Sequence, residues 1–167
     1  LITPEDAPYV HALRIDPLYN QHLSSVTGTT EDQFKWIERY KTQEARCQQL
    51  YYVIERHDGI RCGLVRLYDI CAEHFTWGSW ILDTNKPKLA ALESAFLIYS
   101  VGFEELGCNY SVFDVRNTNE RTLAFHRRFG ASEIGKDDLN LYFKYTANQF
   151  SADRQIHLNT LKISEPS

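Results

Sequence analysis

The sequence predicts a mixed α/β domain of the α+β kind: a twisted, mostly antiparallel sheet flanked by helices, with one βαβ crossover. Three observations predict it. Helical periodicity fills the first 45 residues, the period changes to two over YYVIERHDGIRCGLVRLYD and HFTWGSWIL, and a long helical pattern then separates that third strand from a fourth. Strands joined through a helix pair in parallel by a right-handed crossover, whereas a tight turn at His57-Asp58-Gly59 joins antiparallel neighbours.

Each element has its own signal. Thr3 followed by Pro4, Glu5 and Asp6 is a helix start, with a capping hydroxyl, a proline at the first helical position and acids at the positive end of the dipole, and the helix runs through Leu13. After VTGTT, Thr30 with Gln33 forms a capping-box pattern, and Phe34, Ile37 and Tyr40 place a second helix over 31–45, completing a helical arm. In the third strand His74, Thr76, Gly78, Trp80 and Leu82 share one face and Phe75, Trp77, Ser79 and Ile81 the other, so Trp77 and Trp80 point oppositely and at least one belongs to the core. Leu89, Leu92, Phe96, Tyr99, Phe103 and Leu106 recur at spacings of three and four, marking a helix that ends at Gly107. YSVFDVR is the next strand, Asn119 to Arg128 a shorter helix stopped by Gly130, and LNLYFKY the closing strand. The expected organisation is one domain over 1–150 with a loose polar tail over 151–167.

Composition restricts the function. With 167 residues, 43% apolar and 24% charged, the chain can bury one core and is too short for two ordinary domains. A net charge of −4 and a pI near 5.9 argue against a nucleic-acid binder, which needs a basic excess. No apolar run approaches a membrane span and no signal peptide opens the chain, so the cytoplasm is the expected location. Leu1, with no methionine anywhere, implies a start upstream and a first strand cut short. Cys47, Cys62, Cys71 and Cys108 are far apart, with no CxxC pair or histidine at ligand spacing, so neither metal nor disulfide is expected.

The order of elements, with GSWIL (78–82), KPKLAA (86–91), GFEELG (102–107) and NERTLAFHRRFGA (119–131) at their spacings, resembles the GCN5-related N-acetyltransferase (GNAT) family. The resemblance covers nearly the whole chain and is strongest from Gly63 to Ala131; GLVRLYDI, FTWGSWIL and FDVRNTNERTLAFHRRFGA look most like bacterial transferases that acetylate amino sugars, often nucleotide-linked, for surface polysaccharides. It implies acetyl-CoA as acetyl donor and a small-molecule amine as acceptor, with no nucleic acid and no membrane partner; dimers are common among such relatives, so a homodimer is compatible. The family's pyrophosphate loop carries two glycines where this chain has Pro87 and Leu89. What remains is the run of unpaired amides opening the helix, over Lys88, Leu89, Ala90 and Ala91, with Lys86 and Lys88 as point charges; the alternative is an ordinary strand-to-helix turn with solvated lysines.

By the same resemblance, Ile81 and Leu82 on the third strand adjoin the cofactor, with the backbone near Ile81 as oxyanion donor. Asn119, Leu123 and His126 lie at i, i+4 and i+7, on one helical face. Asn119 is expected to bond the pantetheine arm, and His126, standing where the family has tyrosine, to protonate the leaving thiolate, which implies an acid-shifted activity profile. For the general base, His74 and Asp69 rank slightly ahead of Glu73 and Asp114, and water is the alternative. Trp80 is a candidate for stacking on a sugar or base, and Arg14, Asn20 and His22 in the arm for lining the acceptor site, whereas Tyr51, Tyr52 and Tyr68 read mostly as packing. The leading expectation is acetyl transfer to a small amine, most readily an amino sugar. Acetylation of a protein N-terminus and a non-catalytic acyl-CoA-binding module are the alternatives.

Overall fold

The computed structural model describes residues 1–163. Six strands lie in the order β1-β2-β3-β4-β6-β5: β1 (Leu50–Glu55), β2 (Arg61–Tyr68), β3 (His74–Leu82), β4 (Tyr110–Arg116), β5 (Ser132–Lys136) and β6 (Asn140–Thr146). β3 and β4 pair in parallel, His74 with Tyr110 and Phe75 with Ser111, while β1–β2, β4–β6 and β5–β6 are antiparallel. This is the mostly antiparallel sheet with one crossover that the sequence predicts. The helices are α1 (Ala7–Ile15), α2 (Thr30–Ala45), α3 (Ala90–Ser100), α4 (Glu120–Phe129) and α5 (Ala147–Ile163). The chain divides into two compact units, Leu1–Ile70 with Gly78–Lys86, and Cys71–Trp77 with Pro87 onward, and β3 contributes to both.

In the first unit a short 3-10 turn, Pro4–Asp6, leads into α1. Asp6 accepts from the Thr3 amide and pairs with Arg61 of β2 at 2.7 Å, tying the start of the arm to the strand. α2 is capped one residue earlier than expected: Thr29 accepts from the Asp32 amide while Asp32 accepts from the Thr29 amide, so Asp32 takes the place expected of Gln33. Its apolar residues Ile37 and Tyr40 join Val10 and Leu13 of α1 and Tyr51, Leu64 and Ile81 of the strands in one core. Gly63 is required there, because a side chain would meet the Ile81 carbonyl oxygen at 2.2 Å.

The second unit has an aromatic core. Tyr99 touches Phe75, Trp77, Phe129 and Tyr145, with ring centroids 4.6 to 6.4 Å apart, and Phe113 stacks on Phe143 at 5.5 Å. α3 runs into a π-helical turn, Val101–Glu105, at Gly102. A Cβ on Gly102 would come within 2.0 Å of the Phe75 ring, so the helix can lie this close to β3 only with glycine at that point. Gly107 (φ 74°), just after the π-helical turn, and Gly130 (φ 115°), at the end of α4, are in the left-handed conformation, as their positions predict.

Two segments differ from expectation. β5 is exposed throughout and SEIGK has no apolar alternation, so only pairing with β6 makes it a strand. The expected loose tail is largely α5, anchored by Phe150 against Phe96 and Phe103 and by His157 stacked on Phe129 at 4.1 Å. Residues of that tail after Ile163 lie outside the described residues.

Candidate active site

A cavity of about 310 Å³ opens in the first unit, at the lower end of the usual range for ligand sites. α2 presents Asp32, Gln33, Trp36 and Arg39 to it, one helical face at i, i+4 and i+7, while Ile37 and Tyr40 on another face hold the core. α1 gives Arg14 from its last turn, the loop before α2 gives Val26, Thr27 and Thr29, and the paired strand residues Tyr51 and Arg66 supply the rest of the wall. Arg66 lies over the rings of Tyr68, Tyr51 and Trp36 at 4.7, 5.7 and 6.0 Å. Arg14 donates to the Ser24 carbonyl at 3.3 Å and to Ser79 Oγ at 3.4 Å. Burial pushes the Tyr51 hydroxyl up in pKa, and the positive charges of Arg14 and Arg66 oppose that rise.

Ser79 marks a break in β3. Its φ of 48° is rare for a residue with a side chain, and the burial alternation that holds at Phe75 and Trp77 is lost over Gly78–Trp80. Such an irregularity in a strand redirects backbone amides away from the ladder. Past it, Ile81 is buried in the first unit's core and Leu82 is half-buried. The strand is then pinned by Asp83, a buried carboxylate that accepts from Tyr9 Oη at 2.8 Å and from the Asn85 amide at 2.7 Å. Of the two tryptophans in β3, Trp77 is core and Trp80 is half-buried.

In the second unit the mouth of α3 carries no side-chain cap. The Ala90 amide bonds the Pro87 carbonyl and the Glu93 amide starts the helical ladder on Leu89, so the amides of Ala91 and Leu92 have no partner within the helix. Leu89 adopts φ −102°, and left-handed conformations occur at other positions only, so the backbone needs no glycine here. Lys86 and Lys88 are exposed, Leu89 and Ala91 half-buried and Ala90 buried. Asn119 caps α4, its side-chain oxygen accepting from the Thr122 amide at 3.3 Å, which leaves its NH₂ as the group it can offer a ligand.

His126 does not have the surroundings of an acid. It is 3% exposed, with ring centroids of Phe113, Trp77, Phe125 and Phe143 at 4.4 to 5.7 Å, and burial pushes its pKa down to about 3. The imidazole is neutral near pH 7 and holds no second proton for a thiolate, so neither the expected acid role nor the acid-shifted profile follows from this geometry. The face that carries Leu123 and His126 is the core face of α4, with Phe129 as its next member. His74 and Asp69 have structural duties. His74 opens β3, stacks on Tyr110 at 5.3 Å and lies 3.1 Å from Cys71 Sγ, while Asp69 is an exposed turn residue with φ 49°. Neither lines the cavity; of the arm residues expected to, Arg14 does, whereas Asn20 braces the turn after α1 by donating to the Ile15 carbonyl and His22 lies in the following loop. Sequence reasoning missed Trp36, Arg39 and Arg66. One signal was present: Arg66 is a charge inside the otherwise apolar LVRLY.

Residues 1–132 match the family model of the acetyltransferase (GNAT) domain. FdhC, solved without ligand and described as a nucleotide-linked sugar GNAT, is 36% identical, covering 95% of this chain and 90% of its own, with a TM-score of 0.88. Two more distant structures share the fold: spermidine N-acetyltransferase from Vibrio cholerae with CoA and spermine (14% identity, TM-score 0.78, 90% and 95% covered), and the N-acetyltransferase PseH from Campylobacter jejuni with acetyl coenzyme A (12%, 0.67, 87% and 93%). No curated protein sequence matches the chain. This protein belongs to the GNAT acetyltransferase family. It is an acetyltransferase whose acetyl donor is acetyl-CoA, and the uncapped, lysine-flanked mouth of α3 fits that donor's diphosphate.

Proposed function

We propose that this enzyme acetylates the amine of an amino sugar carried on a nucleotide, in the cytoplasm where acetyl-CoA is available. The observation that carries the reading is the cavity in the helical arm, where three arginines face one carboxylate. Such a wall attracts a small anionic acceptor and repels polyamines. The 36% identical FdhC, a nucleotide-linked sugar GNAT, supports the same class of acceptor.

Bound acetyl-CoA supplies an activated thioester whose carbonyl carbon accepts the amine. The amides of Ala91 and Leu92 with Lys86 and Lys88 hold the diphosphate, beside Leu89 and Ala90. Asn119 donates its NH₂ to the pantetheine arm. Past the break at Ser79, the Ile81 backbone, with Leu82 beside it, would serve as the oxyanion donor that the family resemblance assigns to this strand. His126, neutral within its rings, keeps α4 in place; solvent takes the proton that the attacking amine sheds and supplies the one that the departing thiolate takes up.

The test is a thiol-release assay with acetyl-CoA against nucleotide-linked amino sugars, the same sugars free, spermidine and a peptide with a free N-terminus. Nucleotide-linked amino sugars are expected to give kcat/KM about a hundredfold above the rest, the equivalent of roughly two charge-assisted hydrogen bonds. Preferred turnover of the peptide would make this a protein N-terminal acetyltransferase. Acetyl-CoA binding without turnover of any amine would make it a binding module. Either result overturns the proposal.

A further inference from the structure

Arg14, Arg39 and Arg66 share one cavity, and among the described residues none of them forms an ion pair within 4 Å. Three guanidinium groups gathered around a single carboxylate leave a net positive charge, and an anion relieves their mutual repulsion. Asp32, the carboxylate on the wall, is already held by the Thr29 amide at 2.8 Å and the Thr29 hydroxyl at 3.1 Å. Arg66 Nε is a buried donor with no hydrogen-bond partner among the described residues, which points to a missing acceptor.

The aromatic side of the wall is as specific. Trp36 lines the cavity and is stacked in parallel on Tyr40, with centroids 5.6 Å and planes 4° apart, and its edge contact with Tyr51 fixes it further. An indole so backed is a rigid platform for a flat heterocycle. Planar forks beside such a platform match the two halves of a nucleoside diphosphate: bidentate donors for phosphate oxygens and a stacking surface for a base.

We infer that this cavity binds the nucleoside diphosphate of the acceptor, with Arg39 and Arg66 holding the diphosphate, Trp36 stacking on the base, and Arg14 joining the site to the irregular turn of β3. The assignment rests on the amino-sugar reading above and deepens it. Arg14 touches both ends of the problem: it lines the cavity and donates to Ser79, two residues before the proposed oxyanion donor. The linked sugar therefore extends from the arginines along Arg14 toward the reacting end of β3.

Coenzyme A also contains a nucleotide diphosphate, so the experiment has to separate the two sources. Calorimetric titration of UDP, dTDP and GDP into the protein saturated with coenzyme A is expected to give one-to-one binding of at least one of them, weakened as salt rises. Arg39→Gln and Arg66→Gln should each weaken that binding about tenfold or more. Trp36→Leu should weaken the nucleoside diphosphate and leave inorganic pyrophosphate unchanged. Acetyl-CoA affinity measured on each variant reports that it is folded. Loss of nucleotide binding when coenzyme A is saturating, or no binding of any of the three probes by folded protein, would overturn the assignment. Nucleotide binding without amine turnover supports the cavity assignment while removing the transferase reading, and turnover of free amino sugars without nucleotide binding does the reverse.

Discussion

A histidine ringed by Phe113, Trp77, Phe125 and Phe143 makes its own position sensitive to acid. With a pKa of about 3 in the native state against roughly 6.5 unfolded, the unfolded chain binds a proton across that interval that the native chain refuses. Stability from this site is therefore complete above pH 6.5 and declines as pH falls toward 3, by up to about 5 kcal/mol. His126→Phe should remove this site's share of the dependence, leaving that of His157, whose pKa burial also lowers: between pH 7.5 and 4.5 the urea midpoint of the wild type should fall clearly further than that of the variant. An equal fall in both would mean that the acid sensitivity lies elsewhere. The sequence shows a histidine at a tyrosine position but not that Leu123, His126 and Phe129 form the buried face, because the same spacing serves a ligand face or a core face. Arg66 is the converse case, a charge in an apolar strand whose meaning depends on Trp36 and Arg39 arriving from another element.

Elements with strong periodicity were legible and those held by a few contacts were not. α2, β3 and α4 carry apolar repeats and caps that the chain displays, whereas β5 exists through hydrogen bonds to β6 and α5 through Phe150 and His157. The meeting of α3 with β3 depends on a single missing side chain. Gly102→Ala would drive a methyl into Phe75 and should destabilise the protein by about 3 kcal/mol in urea titration, and Phe75→Leu in the same chain should recover part of the loss. No recovery would place the strain outside this contact. At the other end of α3, Lys86→Glu with Lys88→Glu should weaken acetyl-CoA binding about tenfold by calorimetry, with thermal stability unchanged because both lysines are exposed. Unchanged binding would remove the helix mouth from the cofactor site.

Over the whole molecule a net charge of −4 coexists with a local excess of arginine, so the attraction of an anionic acceptor is short in range and sensitive to salt. The KM for a nucleotide-linked amino sugar should rise several-fold from low to high ionic strength, while that for an uncharged acceptor analogue stays level. Fold and family were readable from element order and motif spacing; the cavity was not, since its walls come from α1, α2, β1, β2 and a loop, each unremarkable by itself. Every residue that lines it falls between positions 14 and 66, and the amides proposed to grip the donor begin only after position 86. On the proposed assignment, acceptor taste and donor chemistry are written in separate stretches of the gene, so a recombination event that imports foreign sequence through position 66 would change which acceptor is modified while inheriting the acetyl supply intact.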